Sequence, residues 1–132
     1  MNTTTINHYR DLVAWQKGMD LVEAVYRLTA AYPPDERFGL VVQTRRAAVS
    51  VPSNIAEGFG RSGKADFLRF LGISIGSVNE VETQLLIAVR LGFMTNLQMN
   101  QTVALSEEVR KILKGLIGAL RKSGKSNIGS CH

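Results

Sequence analysis

The sequence predicts an all-α protein, an antiparallel up-down-up-down four-helix bundle with its second helix kinked at Pro52. Three observations carry that prediction. Apolar residues recur at steps of three and four through most of the chain, the period of a helix face. No stretch alternates apolar and polar residues for long enough to read as a strand. The connections between four periodic segments are about three to eight residues long, which makes sequential helices antiparallel neighbours. With 132 residues, 45% apolar and 20% charged, the chain forms one domain with a proper core.

The first helix is expected from Asp11, a candidate N-cap, with Leu12, Trp15, Met19, Val22 and Tyr26 as its stripe. Leu21, Val25 and Leu28 widen its buried face, and Pro33-Pro34 ends it, since proline disfavours a helical residue before it. The second runs from about Phe38 to Phe59. Val41, Thr44, Ala48, Val51, Ile55 and Phe59 form its apolar face. Pro52 should kink or restart it, because its ring crowds the carbonyl of Ala48 and donates no hydrogen bond.

The third helix follows Gly58 and Gly60, with Ser62 as a candidate cap, and ends at Leu91-Gly92, Gly92 being placed as the left-handed residue. Thr95-x-x-Gln98 is a capping box that opens the fourth, whose stripe is Leu105, Val109, Ile112, Leu116 and Leu120. Residues 11–122 therefore form the bundle, between a flexible N-terminus (1–10) and a flexible tail (123–132) rich in Ser and Gly.

The third helix is apolar on more sides than one protomer needs. Phe67, Leu71, Val78, Val81 and Leu85 form one seam. Leu68, Ile75, Leu86 and Val89 form a second, and Ile73 and Ile87 extend a third. Gly72 and Gly76 would let another backbone come close. Such a helix is expected to be covered on its extra side, most simply by another copy of the chain.

Charge is distributed unevenly. Residues 1–108 carry ten Lys/Arg against eleven Asp/Glu, whereas residues 109–132 carry six basic groups and no acid. The net +5 of the chain therefore arises entirely in the last helix and tail. Arg110, Lys114 and Arg121 share a helical face with Lys111 and Lys122 beside it, a pattern suited to phosphate contacts and a polyanionic partner, nucleic acid foremost. Cations near a helix C-terminus also serve its dipole and solubility, so both roles stay open.

A second constellation lies on the polar face of the second helix. Gln43, Arg46, Ser50, Asn54, Glu57 and Arg61 stack at steps of three and four, with Ser77, Glu80 and Gln84 as candidate neighbours on the third helix. The ladder reads either as a partner-binding surface or pore lining, or as a buried hydrogen-bonded network that fixes helix register; the second is preferred.

Catalytic chemistry finds little footing. The only histidines, His8 and His132, lie outside the helices, so the Glu-x-x-His pairs of a di-metal bundle are missing and no metal or cofactor is expected. Cys131 has no histidine partner in the fold. Gly58-x-Gly60-x-x-Gly63 follows a helix rather than a strand, which removes its meaning as a dinucleotide motif. One cysteine, a polar N-terminus and no long apolar run point to a cytoplasmic, non-enzymatic protein with no membrane partner.

Several of these residues together resemble a known family. The motifs are Leu12-x-x-Trp15-Gln16-Lys17, Gln43-x-Arg45-Arg46-Ala47 and Ser50-x-Pro52-x-Asn54-Ile55-Ala56-Glu57-Gly58. Arg61, Phe67-x-x-Phe70-Leu71, Gly76-Ser77-x-x-Glu80-x-Glu82 and Leu91-Gly92 continue them, so that the likeness spans about residues 10–120. The chain resembles the bacterial four-helix-bundle proteins encoded in intervening sequences of 23S ribosomal RNA genes. Accessory variability determinant proteins of diversity-generating retroelements are distant relatives. Gly18 stands where family members more often carry alanine. The resemblance implies a four-helix bundle, often a homopentameric ring. For the retroelement branch it implies a basic nucleic-acid-binding surface and a reverse-transcriptase partner. The reading is a non-enzymatic oligomer that binds structured RNA through its fourth helix. The rival is a protein-interaction scaffold or accessory subunit using the polar face of the second.

Overall fold

The computed structural model describes residues 6–123. The first five residues, and the tail expected from 124 onward, lie outside the described residues. Four helices follow in order: α1 (Val13–Thr29), α2 (Leu40–Phe59), α3 (Lys64–Arg90) and α4 (Asn96–Lys122). Each packs against the next, and α1 closes the bundle against α4. Fully buried side chains come from all four: Leu21 and Val25, Val51 and Ile55, Phe67 to Leu85 on α3, and Val109, Leu113 and Leu120.

Helix ends follow local chemistry, with two departures from expectation. Asp11 is not the cap of α1. It closes a short 3-10 turn (Tyr9–Asp11) whose first amides are served by His8, and Leu12 becomes the cap residue while its side chain enters the core. Likewise Gly63, rather than Ser62, caps α3, without a side-chain bond. The other termini match expectation. Gly92 has φ 81°, and the amides of Gly92 and Phe93 return to the carbonyls of Val89 and Ala88 at 3.0 and 2.9 Å. The Thr95–Gln98 capping box makes both reciprocal bonds.

α2 runs through Pro52 as one 20-residue helix, so of the kink or restart expected there the restart does not occur. Tertiary contacts hold the segment. The Ser74 hydroxyl on α3 donates to the carbonyl of Val51 at 2.9 Å, and the pyrrolidine ring is buried beside Gly18 of α1. On the α3 side, Gly58 is essential to the approach: a Cβ there would lie 2.6 Å from the Cβ of Phe70.

α1 faces the core differently from its expected stripe. Its buried side is Ala14, Gly18, Leu21, Val25 and Thr29. Trp15, Met19, Val22 and Tyr26 are rotated to the flank, where Met19 and Tyr26 are 38% and 42% exposed. The small residues bring α1 close to α2, and the bulky ones lie beside the contact rather than within it.

Candidate functional site

The polar ladder of α2 separates into three parts. At its centre Ser50 and Asn54 form a half-buried network with α3: the hydroxyls of Ser50 and Ser77 are 2.8 Å apart, and the Asn54 amide donates to both the carbonyl and the hydroxyl of Ser50 at 2.8 Å. The Ser50–Ser77 contact joins α2 to α3 near the middle of both helices. At the C-terminal end Glu57 is exposed and ion-paired with Arg61 one turn later at 2.8 Å. Its role is a solvated surface pair of small energetic weight, not a buried charge. At the N-terminal end Gln43 and Arg46 are exposed. On the neighbouring helix Gln84 is buried and its amide reaches Glu80 at 3.4 Å.

The basic residues of α4 also divide. Arg110 turns inward to α3. Its Nη1 lies 2.8 Å from Oε2 of Glu82 and 3.2 Å from Oδ1 of Asn79, and the Ser106 hydroxyl donates to the same Glu82 oxygen at 2.5 Å. Both charged side chains are only 21% exposed. Arg110 is therefore a bridge between helices, and the face it was expected to share is held by others. Lys111, Lys114, Arg121 and Lys122 are all exposed. Gly115 and Gly118 lie among them with open space where a Cβ would stand. Lys64, at the start of α3, donates to Ser123 at 3.3 Å and brings a further positive charge to the same end of the bundle.

The outer seam of α1 and α2 was not read from the sequence as a surface. Tyr26, Val42, Arg45, Arg46, Val49 and Ser50 line a cavity of about 560 Å³. Trp15, Met19, Val22, Val49, Pro52 and Ala56 help line a second of about 390 Å³ that shares Val49. Arg45 is fixed on the rim, its guanidinium 4.3 Å from the Tyr26 ring and its Nε donating to Thr29 at 2.9 Å. At the adjoining end of the bundle Tyr32 packs on Phe93 with ring centroids 5.5 Å apart. Burial pushes its phenol up from 10.0 to about 12, and its buried hydroxyl has no hydrogen-bond partner among the described residues.

No described helix is long and apolar enough to cross a membrane. Comparison with known proteins agrees with the architecture. The family model described as 23S rRNA-intervening sequence protein matches residues 10–115. A crystal structure of a protein of unknown function from the S23 ribosomal protein family of Bacteroides thetaiotaomicron is similar at a TM-score of 0.72. It is 25% identical in sequence, and the match covers 80% of this chain and 98% of that one. No curated protein matches the chain.

Proposed function

The chain belongs to the 23S rRNA-intervening sequence protein family, and we propose that it is a non-enzymatic helical bundle that binds structured RNA through the outer face of α4. The observation that carries this reading is the division of the α4 cations. Arg110 is spent on Glu82, whereas Lys111, Lys114, Arg121 and Lys122 are exposed on a helix with no acid after Glu108. From Lys111 to Lys122 the face spans roughly 16 Å at the standard helical rise. α4 has no aromatic residue, which disfavours base stacking on single strands and favours recognition of helical shape through phosphates.

Filter binding of duplex-containing ribosomal RNA fragments across a salt series tests the reading. Four phosphate contacts predict a salt slope of about −3 to −4, or roughly 60–250-fold weaker binding between 50 and 200 mM salt. Lys111→Ala/Lys114→Ala/Arg121→Ala/Lys122→Ala should lower affinity and flatten that slope. Binding by this variant equal to the parent's would overturn the assignment, and the scaffold reading of α2 would replace it.

A further inference from the structure

RNA binding through α4 leaves the adjacent arginines of α2, Arg45 and Arg46, without a role. Of the described arginines only Arg45 and Arg110 are half-buried; the others are exposed. Arg110 has Glu82 as its counter-charge. Arg45 has none, since the ion pairs among the described residues include neither Arg45 nor Arg46. A neutral cradle holds it instead. Its Nε donates to the Thr29 hydroxyl oxygen at 2.9 Å and its Nη2 to the Tyr26 carbonyl at 3.3 Å, with the guanidinium carbon 4.3 Å from the centre of the Tyr26 ring. Thr29 gives its own proton to the carbonyl of Val25 at 2.7 Å, which leaves its oxygen to accept. Those two bonds use fewer than half of the donors a guanidinium carries. A charge drawn out of water onto neutral groups is stabilised by an anion brought beside it.

Both arginines line the larger cavity of the α1–α2 seam. Val42, Arg45, Arg46, Val49 and Ser50 follow one another at i, i+3, i+4, i+7 and i+8, a single strip of α2, and Tyr26 of α1 lies across from it. The lining contains no acid. Its volume of about 560 Å³ falls inside the range of about 300–1,000 Å³ typical of small-molecule sites. The chemistry is graded along the seam. Arg45 and Arg46 bring charge, whereas Val42, Val49 and the half-exposed phenol ring bring apolar walls. Beyond Val49 the second cavity continues those walls with Trp15, Met19 and Val22.

We infer that this cavity binds a small organic anion with a flat apolar body. Its carboxylate or phosphate head is held by the unspent donors of Arg45 and Arg46, for which both oxyanions have the matching fork geometry. Its body lies against Val42, Val49 and the Tyr26 ring. The site is separate from RNA binding, whose residues lie on α4.

The test is isothermal titration of the full chain with naphthoate and with naphthyl phosphate. Naphthamide serves as the uncharged analogue and inorganic phosphate as the bare head. At least one naphthyl anion should saturate the chain with a dissociation constant below about 1 mM, and the tighter of the two names the head group. Naphthamide and inorganic phosphate should each bind at least about tenfold more weakly. Arg46→Gln, at an exposed position, should keep the parent's melting temperature and lose about tenfold or more in affinity. Val49→Glu, which places a carboxylate in the cavity, should abolish binding. Lys114→Ala should bind the naphthyl anions as the parent does, and duplex RNA should not displace them. A parent without saturable binding, naphthamide as tight as the anions, Arg46→Gln binding like the parent, or displacement by RNA would each overturn the site.

Discussion

Arg110→Ala removes the guanidinium that lies 2.8 Å from Glu82 and leaves that carboxylate, 21% exposed, with the Ser106 hydroxyl as its donor. The magnitude follows from where the pair sits between two limits. Fully exposed pairs contribute about 0–1 kcal/mol. Removing one partner of a fully buried pair costs about 3–5 kcal/mol, because the other charge stays desolvated. With four-fifths of each side chain covered, and a second bond to Asn79 lost, a cost of about 2–3 kcal/mol is expected. In urea, with a slope of about 1–3 kcal/mol/M for a small domain, the midpoint should fall by about 0.7–3 M. Glu82→Gln combined with Arg110→Ala should cost less than the sum of the single changes, with a coupling of about 1–2 kcal/mol. Lys114→Ala, one turn along on the exposed face, should stay within about 0.5 kcal/mol of the parent. RNA affinity should follow the opposite order, falling with the exposed lysines and holding within twofold for folded Arg110→Ala. An unchanged urea midpoint together with a tenfold loss of RNA affinity in Arg110→Ala would refute the reasoning and return Arg110 to the binding face.

Two glycines predict opposite signs for the same substitution. A Cβ at Gly18 would make ordinary contacts of 3.4–3.6 Å with Val51 and Pro52, so Gly18→Ala should gain about 0.5–1 kcal/mol from helix propensity and raise the melting temperature. Gly58→Ala, whose Cβ would lie 2.6 Å from that of Phe70, should lose about 1–3 kcal/mol in the same melt. Tyr32→Phe removes a buried hydroxyl with no partner among the described residues and should leave stability at pH 7 unchanged or higher by about 1 kcal/mol. The pH dependence has a definite sign. Between pH 10 and about 12 the unfolded phenol ionises while the folded one stays protonated, so the parent loses stability as pH rises through that window. Urea midpoints at pH 9 and 11 should therefore fall further in the parent than in Tyr32→Phe.

Most of the fold was legible because its signals are local. The Thr95–Gln98 box and the left-handed Gly92 each solve a terminus with residues adjacent in sequence, and the structure uses both. Pro52 shows where local reasoning stops. Proline costs a helical hydrogen bond wherever it occurs, yet α2 continues, held from outside by Ser74 and by the close approach of α1 at Gly18. Those partners are 22 and 34 positions away, and nothing in the neighbourhood of Pro52 announces them.

The surfaces were harder to read than the core for a related reason. Periodicity fixes the pitch of an apolar stripe but leaves its orientation to the packing. In α1 the bulky stripe Trp15, Met19, Val22 and Tyr26 has the right spacing for a core and nevertheless flanks it, since the side that meets α2 carries Gly18, beside Val51 and Pro52, and Thr29, bonded to Arg45. Gly18 in mid-helix was the available signal: a small residue marks the side along which a neighbour comes close, here Val51 and Pro52 of α2, 3.4–3.6 Å from where a Cβ would stand. On α4 the ambiguity concerned charge. Arg110 shares a wheel position with Lys114 and Arg121, and only Glu82 and Asn79 on α3 decide that it points inward. A sequence can place cations on one face of a helix; which of them are already spent depends on the acids of the helix beside it.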